Sequence, residues 1–174
     1  HWRLSINVAP QQILDATLVP QLVAVLNEHG VPPSRLDVEL TETALVSDTA
    51  RARQVMQAMK DAGITVTLDD FGTGYSSLSY LAEMTFDKIK IDRSFVQGAS
   101  SGVKEAVAII RAVVALAQSL GMATTAEGVE TEEEHRLVQE LGCTKVQGFF
   151  FSRPLSVEDA RALVARSWNA SAAA

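Results

Sequence analysis

One cysteine, Cys143, in 174 residues leaves no internal disulfide and no cysteine-built zinc site. No histidine lies near it in sequence, so it reads as a small core residue rather than a nucleophile. Positive charge is also scarce: 15 Lys and Arg against 21 Asp and Glu give a net charge of −6. That balance argues against electrostatic binding to a nucleic-acid polymer or a membrane surface. An anionic ligand would need a metal to hold it. Long apolar runs are missing as well. The longest stretch, Ala106 to Ala117, is interrupted by Arg111 and is too short to span a bilayer. The three histidines, His1, His29 and His135, form no ligand pattern. No signal peptide is evident, and a chain opening on His1 close to a strand reads as the remainder of a longer polypeptide. The chain is 47% hydrophobic and 21% charged, as expected of a folded globular domain.

Strand and helix patterns alternate along the chain. Leu4 to Val8 is a short apolar strand, followed after Pro10 by a helical pattern with Leu22, Val23 and Leu26 on one face, stopped by Gly30. Leu36 to Leu40 is the next strand. Ser47 or Asp48 can cap a helix carrying Val55, Met56 and Met59, closed by Gly63. Ile64 to Leu68 reads as a strand, Ser76 or Ser77 as the cap of a short helix, and Phe86 to Ile91 as another strand. Val103 to Leu120 is the longest helix. After a strand at Ala123 to Ala126, the T-x-x-E pattern at Thr131 to Glu134 starts a helix. Lys145 to Phe151 is the sixth strand, and a last helix starts at Ser156. The tail from Asn169 to Ala174 is expected to fray; its Asn169-Ala170-Ser171 matches a glycosylation sequon by pattern alone.

Such alternation predicts an α/β fold with a parallel sheet. Each strand also carries polar residues two apart: Ser5 and Asn7, Asp37 and Glu39, Thr67 and Asp69, Lys88 and Lys90, Thr125 and Glu127, Lys145 and Gln147. Side chains two apart share a face. Six such rows, each ending at the carboxyl end of its strand, suit a barrel whose interior leads to a polar site. A complete (β/α)₈ barrel takes about 250 residues. Six of eight units are therefore expected here, with the other two N-terminal to the chain, and residues 1–168 form one incomplete barrel domain.

The constellation that invites chemistry stands at the strand ends. Val66 to Ser77 runs an apolar strand into Asp69 and Asp70 and then a glycine-punctuated turn. With Asn7, Glu39 and Glu127 these are hard oxygen donors, suited to Mg²⁺ or Mn²⁺. Successive strand residues face opposite ways, so Asp69 and Asp70 can both reach one site only if the strand ends between them. Two metals about 4 Å apart would activate water and stabilise the leaving oxygen of a phosphodiester. Lys90 could hold that water or the developing charge.

The motifs Ile6 to Gln12 (INVAPQQ), Glu39 to Thr43 (ELTET), Asp69 to Leu78 (DDFGTGYSSL), Lys90 to Val96 (KIDRSFV), Ala126 to Thr131 (AEGVET) and Gln147 to Pro154 (QGFFFSRP) occur in the order of the EAL-domain family. The chain resembles that family from about residue 4 to residue 165. The resemblance implies a modified (β/α)₈ TIM-type barrel that hydrolyses one bond of cyclic di-GMP to the linear guanosine dinucleotide, with two Mg²⁺ or Mn²⁺ ions. It implies Asn7, Glu39 and Asp69 as ligands of one metal, Asp70 and Glu127 as ligands of the other, Glu127 as general base and Lys90 as the group positioning water. Glu42 would brace the loop Phe71 to Ser77, which would also shape a homodimer contact. Glu130 and Gln147 would contact water or support the ligands, and Phe150 and Pro154 would touch substrate. An upstream sensor or cyclase domain and a cytoplasmic setting, in a protein anchored to the membrane or not, are implied too. Two departures stand out. The name-giving Glu-Ala-Leu, with its ligand glutamate, is absent, and Ala9 stands where the family usually has Ser.

Plainer roles remain open for several of these residues. Asp69 and Asp70 could cap a turn, Lys90 could pair with Asp92, and Glu130 could favour a helix dipole. Gln147 with Gly148 could mark a close backbone approach, and Phe149 to Phe151 could be core, with one ring stacking on guanine. Among functions, Lys88-Ile89-Lys90 admits an enolase-like proton abstraction, but such barrels usually place this pattern before the metal acids. A non-catalytic receptor for cyclic di-GMP is the rival from another class.

Overall fold

The structure, a computed structural model, describes residues 2–42, 48–72 and 84–172, with side chains as far as residue 165 in the last segment. Six strands form one sheet in chain order, β1 (Leu4–Asn7), β2 (Leu36–Thr41), β3 (Thr65–Phe71), β4 (Lys88–Ile91), β5 (Ala123–Ala126) and β6 (Lys145–Val146). Every neighbouring pair is parallel. The described helices are α1 (Pro10–Ile13), α2 (Leu18–Glu28), α3 (Thr49–Asp61), α4 (Arg93–Ser100), α5 (Lys104–Ser119), α6 (Glu132–Glu140) and α7 (Val157–Ala172). This is the expected architecture, α/β with six consecutive parallel units of a TIM-type barrel.

Alternation along the strands divides the sheet into two faces. Val38, Leu40, Val66, Leu68, Ile89 and Ile91 point to the helices and are buried with Met56 and Met59 of α3 and Ile110, Val114 and Ala117 of α5. Asp37, Glu39, Thr67, Asp69 and Lys90, between those apolar positions, are buried on the opposite, inner face. Burying each large apolar side chain contributes roughly 1.5–3 kcal/mol, which fixes the parity of the strands and hence the inward aim of the charged rows. Cys143 is buried, and burial pushes its thiol up to about 11, consistent with a core role.

Helix signals in the sequence act as expected. Asp48 accepts a hydrogen bond from Arg51 N at 2.9 Å and caps α3. Thr131 and Glu134 form the capping box of α6. Several boundaries differ. β3 continues to Phe71 instead of stopping at Leu68. β4 starts at Lys88, and β6 is only Lys145–Val146, because Gly148 then passes close under Val129. α4 follows β4 where the sequence gives no helix; Asp92 caps it by accepting from Ser94 N at 2.9 Å. α7 runs through Ala172, into the stretch expected to fray. The helix expected after Ser76 or Ser77 lies outside the described residues.

Candidate active site

Lys90 enters the inner face from β4 and is 6% exposed. Its Nζ lies 2.6 Å from Glu39 Oε2, 3.0 Å from Asp69 Oδ1 and 2.7 Å from Glu127 Oε1. Three strands thus send a carboxylate to one ammonium: Glu39 from β2, Asp69 from β3 and Glu127 from the residue after β5. Burial alone would lower the Lys90 pKa. The hydrogen bonds to Glu127 and Glu39, with the charge of Glu127, outweigh it and hold the amine above the ordinary lysine value.

Asp70 joins this group through a backbone irregularity. The pairing of β3 with β4 shifts register between Leu68 and Phe71, and Asp70 has φ +54°. A left-handed residue inside a strand makes a bulge and re-aims the side chain, and aspartate tolerates that conformation better than most residues. The strand therefore does not end between the two acids, as strict alternation required; it bulges at Asp70. Asp69, Asp70 and Glu127 each offer a carboxylate oxygen within 4.8 Å of the others.

Among the described residues, Glu39, Asp69 and Glu127 bond the Lys90 ammonium and Asp70 stands beside them, and the crowding of acids is felt. Burial and the charges of Asp69 and Asp92 raise the Asp70 pKa. Burial raises that of Glu127, with Lys90 opposing and Asp69 and Glu39 adding. Excess negative charge from hard oxygen donors, aimed at one point, fits a divalent cation of the Mg²⁺ or Mn²⁺ type.

The other expected residues fall at different distances from this centre. Asn7 stands exposed at the end of β1, in register with Glu39. Glu42 accepts a hydrogen bond from Gly72 N at 3.2 Å, bracing the start of the segment after Asp70. Glu130 is taken by Arg93 at 2.9 Å, tying the α6 approach to α4. Gln147 is exposed, its backbone bonded to Ala126 O at 2.9 Å and Val129 N at 3.1 Å. The Phe150 ring packs against His135 at 5.4 Å and Phe151 at 5.2 Å. Pro154 is exposed. Lys88 and Asp37, placed on the inward polar rows by the sequence but not expected to pair, form a second, part-buried ion pair there. The spacing that could have found it is printed in the chain: each lies two residues before a member of the Lys90–Glu39 pair.

Fold and site together define a TIM-type barrel protein with a buried lysine inside a ring of strand-end carboxylates. The chain belongs to the EAL domain family, whose sequence profile matches residues 1–154. It is 41% identical over 152 residues to the cyclic di-GMP phosphodiesterase RocR of Pseudomonas aeruginosa, covering 87% of this chain and 38% of RocR. The PaMucR phosphodiesterase in complex with c-di-GMP superposes with a TM-score of 0.85 and 35% identity, covering 91% of this chain and 64% of that one. The manganese and cyclic di-GMP complex of Klebsiella pneumoniae BlrP1 gives 0.80 and 37%, over 87% of this chain and 39% of that one. The chain spans between 19% and 38% of the length of the leading curated relatives.

Proposed function

We propose that this chain carries the catalytic residues of a divalent-metal-dependent phosphodiesterase that opens cyclic di-GMP to the linear guanosine dinucleotide. The observation that carries this reading is the Lys90 ammonium held by Glu39, Asp69 and Glu127, with Asp70 turned into the same group by its bulge. The cyclic di-GMP complexes of the related PaMucR and BlrP1 support the substrate.

In this reading Asn7, Glu39 and Asp69 would hold one Mg²⁺ or Mn²⁺ ion and Asp70 and Glu127 a second, which when bound would supply charge neutralisation at the phosphate and a more acidic water. Glu127 accepts the proton of the attacking water, a task suited to a carboxylate whose pKa burial raises. The Lys90 ammonium orients that water and offsets negative charge on the phosphoryl oxygens as the water oxygen adds to phosphorus and one ester bond breaks. Glu42 keeps Asp70 aimed by holding Gly72. Phe150 and Pro154 contact the nucleotide, and Glu130 and Gln147 support the rim.

The chain would act in the cytoplasm inside a larger signalling protein with an upstream sensor or cyclase, the barrel being completed by N-terminal units. A larger parent is supported by the length of the relatives. The segment after Asp70, most of which lies outside the described residues, would contribute to a homodimer. Glu127→Gln tests the assignment: cyclic di-GMP should still bind, by calorimetry, while conversion to the linear dinucleotide stops. Unaltered turnover in that variant would contradict the role given to Glu127.

A further inference from the structure

A second ion pair lies on the same inner rows, one inward position nearer the strand starts. Lys88 precedes Lys90 by two residues on β4, and Asp37 precedes Glu39 by two on β2, so each shares a face with its successor. The Lys88 ammonium donates to Asp37 Oδ2, and the partners are 51 residues apart, as Lys90 and Glu39 are. The lower pair is therefore the upper pair translated along the barrel.

Both pairs reach from β2 to β4 across β3. Thr67, on β3, has Glu39 as its register partner on one side and Lys88 on the other. Its Oγ1 is buried and has no hydrogen-bond partner among the described residues. Thr67 thus adds no side-chain hydrogen bond between the two ties; β3 joins the network on either side of it, through Thr65, whose hydroxyl accepts from Arg3, and through Asp69, which bonds Lys90. The lower tie is enclosed: Asp37 is 5% exposed, and the Lys88 side chain 11%. Arg3 Nε donates to Asp37 Oδ1 at 2.9 Å, which extends it to the start of β1.

The upper tie is made by groups assigned to chemistry, so its bonds must change when those carboxylates turn to a cation. The lower tie touches none of the acids of the centre and can persist. Resting on the function proposed above, we infer that Lys88 and Asp37 are positioning residues: their pair fixes β2 against β4 so that Glu39 stays in place to serve the metal. Neither group touches substrate or reacting atoms.

Lys88→Met breaks this tie while Arg3 still neutralises Asp37, so no buried acid is left bare. Mn²⁺ binding, measured by calorimetry, should weaken about tenfold or more, the usual effect of removing an outer support of a metal ligand. Lys88→Arg, which keeps the charged donor, should recover most of that loss. Circular dichroism checks that each variant is folded, and the neutral pair Asp37→Asn with Lys88→Met gives a second folded test, with the same loss expected. A lowered melting temperature with unchanged Mn²⁺ affinity would make the pair merely structural and overturn the inference. If these variants bind as tightly as the unaltered chain while Glu127→Gln binds less, the positioning role fails and the metal reading survives. Absence of Mn²⁺ binding in the unaltered chain would overturn both.

Discussion

Lys90 Nζ and Glu39 Oε2 lie 2.6 Å apart although β3 separates their strands. Strands two apart in a sheet are roughly 9–10 Å from each other, so the two side chains meet over β3, on the inner face, and pin that face together. Removing the ammonium leaves three buried carboxylates without their nearest cation. Lys90→Met should therefore abolish turnover and destabilise the metal-free chain by about 3–5 kcal/mol, as breaking a buried pair does. Because the folded pKa of Lys90 is raised, its contribution is fully present below the unfolded lysine value and fades only as pH climbs through the folded one. The difference between variant and unaltered chain in urea denaturation should accordingly stay flat from pH 6 to about pH 9 in its lysine-dependent part.

Acid pH acts on the opposite members of the group. Asp70 and Glu127 have raised pKa values, so each stabilises the metal-free fold below its unfolded value and loses that contribution as pH rises through the folded one. A bound cation needs both ionised, which reverses the balance. The rise in melting temperature on adding Mn²⁺ should be larger at pH 7.5 than at pH 5. An equal rise at both would separate metal binding from these two acids. Asp37 runs the other way: burial would raise its pKa, but Arg3 and Lys88 hold it low, so its contribution is present above the unfolded value and is lost on acidification.

Glu42 lies outside the acid group and acts at one remove. Its Oε1 holds Gly72 N, two residues past Asp70. Glu42→Ala should lower turnover about tenfold to a hundredfold, as loss of an outer support does, with a smaller change in melting temperature. Steady-state rates on Glu42→Ala and Glu42→Gln beside thermal melts would check this; unaltered rates in both would remove Glu42 from the account.

Much of this was legible in the sequence because charge on a buried strand is conspicuous. Asp37 and Glu39, or Lys88 and Lys90, standing two apart between apolar residues, announce an inner face before any coordinate is known. The bulge at Asp70 was not legible: periodicity of two demands that adjacent acids diverge, and only backbone geometry reveals the left-handed residue that reunites them. α4 was hidden because Gly98 and Ser94 dilute its apolar stripe, leaving Phe95, Val96 and Ala99; the cap at Asp92 was the one local signal. β6 looked longer because Phe149 to Phe151 favour strands, yet close backbone packing at Gly148 turns the chain away.

That packing gives a stability prediction. A Cβ on Gly148 would stand 2.0 Å from Val129 O, a backbone atom that cannot swing aside. Gly148→Ala should destabilise the fold by about 1–3 kcal/mol through overpacking, shifting the segment that follows Glu127. Chemical denaturation would register the loss; a variant as stable as the unaltered chain would mean that this contact relaxes freely.

The most direct measurement is to incubate the chain with cyclic di-GMP, with and without Mn²⁺, and follow the linear guanosine dinucleotide by chromatography. The same assay would be run on the chain extended at its N-terminus by about seventy residues, enough to supply two further barrel units. Metal-dependent formation of the linear dinucleotide in the extended form, lost on chelation and in Lys90→Met, is the predicted result. Binding without turnover would reduce the protein to a receptor, and neither binding nor turnover in the extended form would contradict the account.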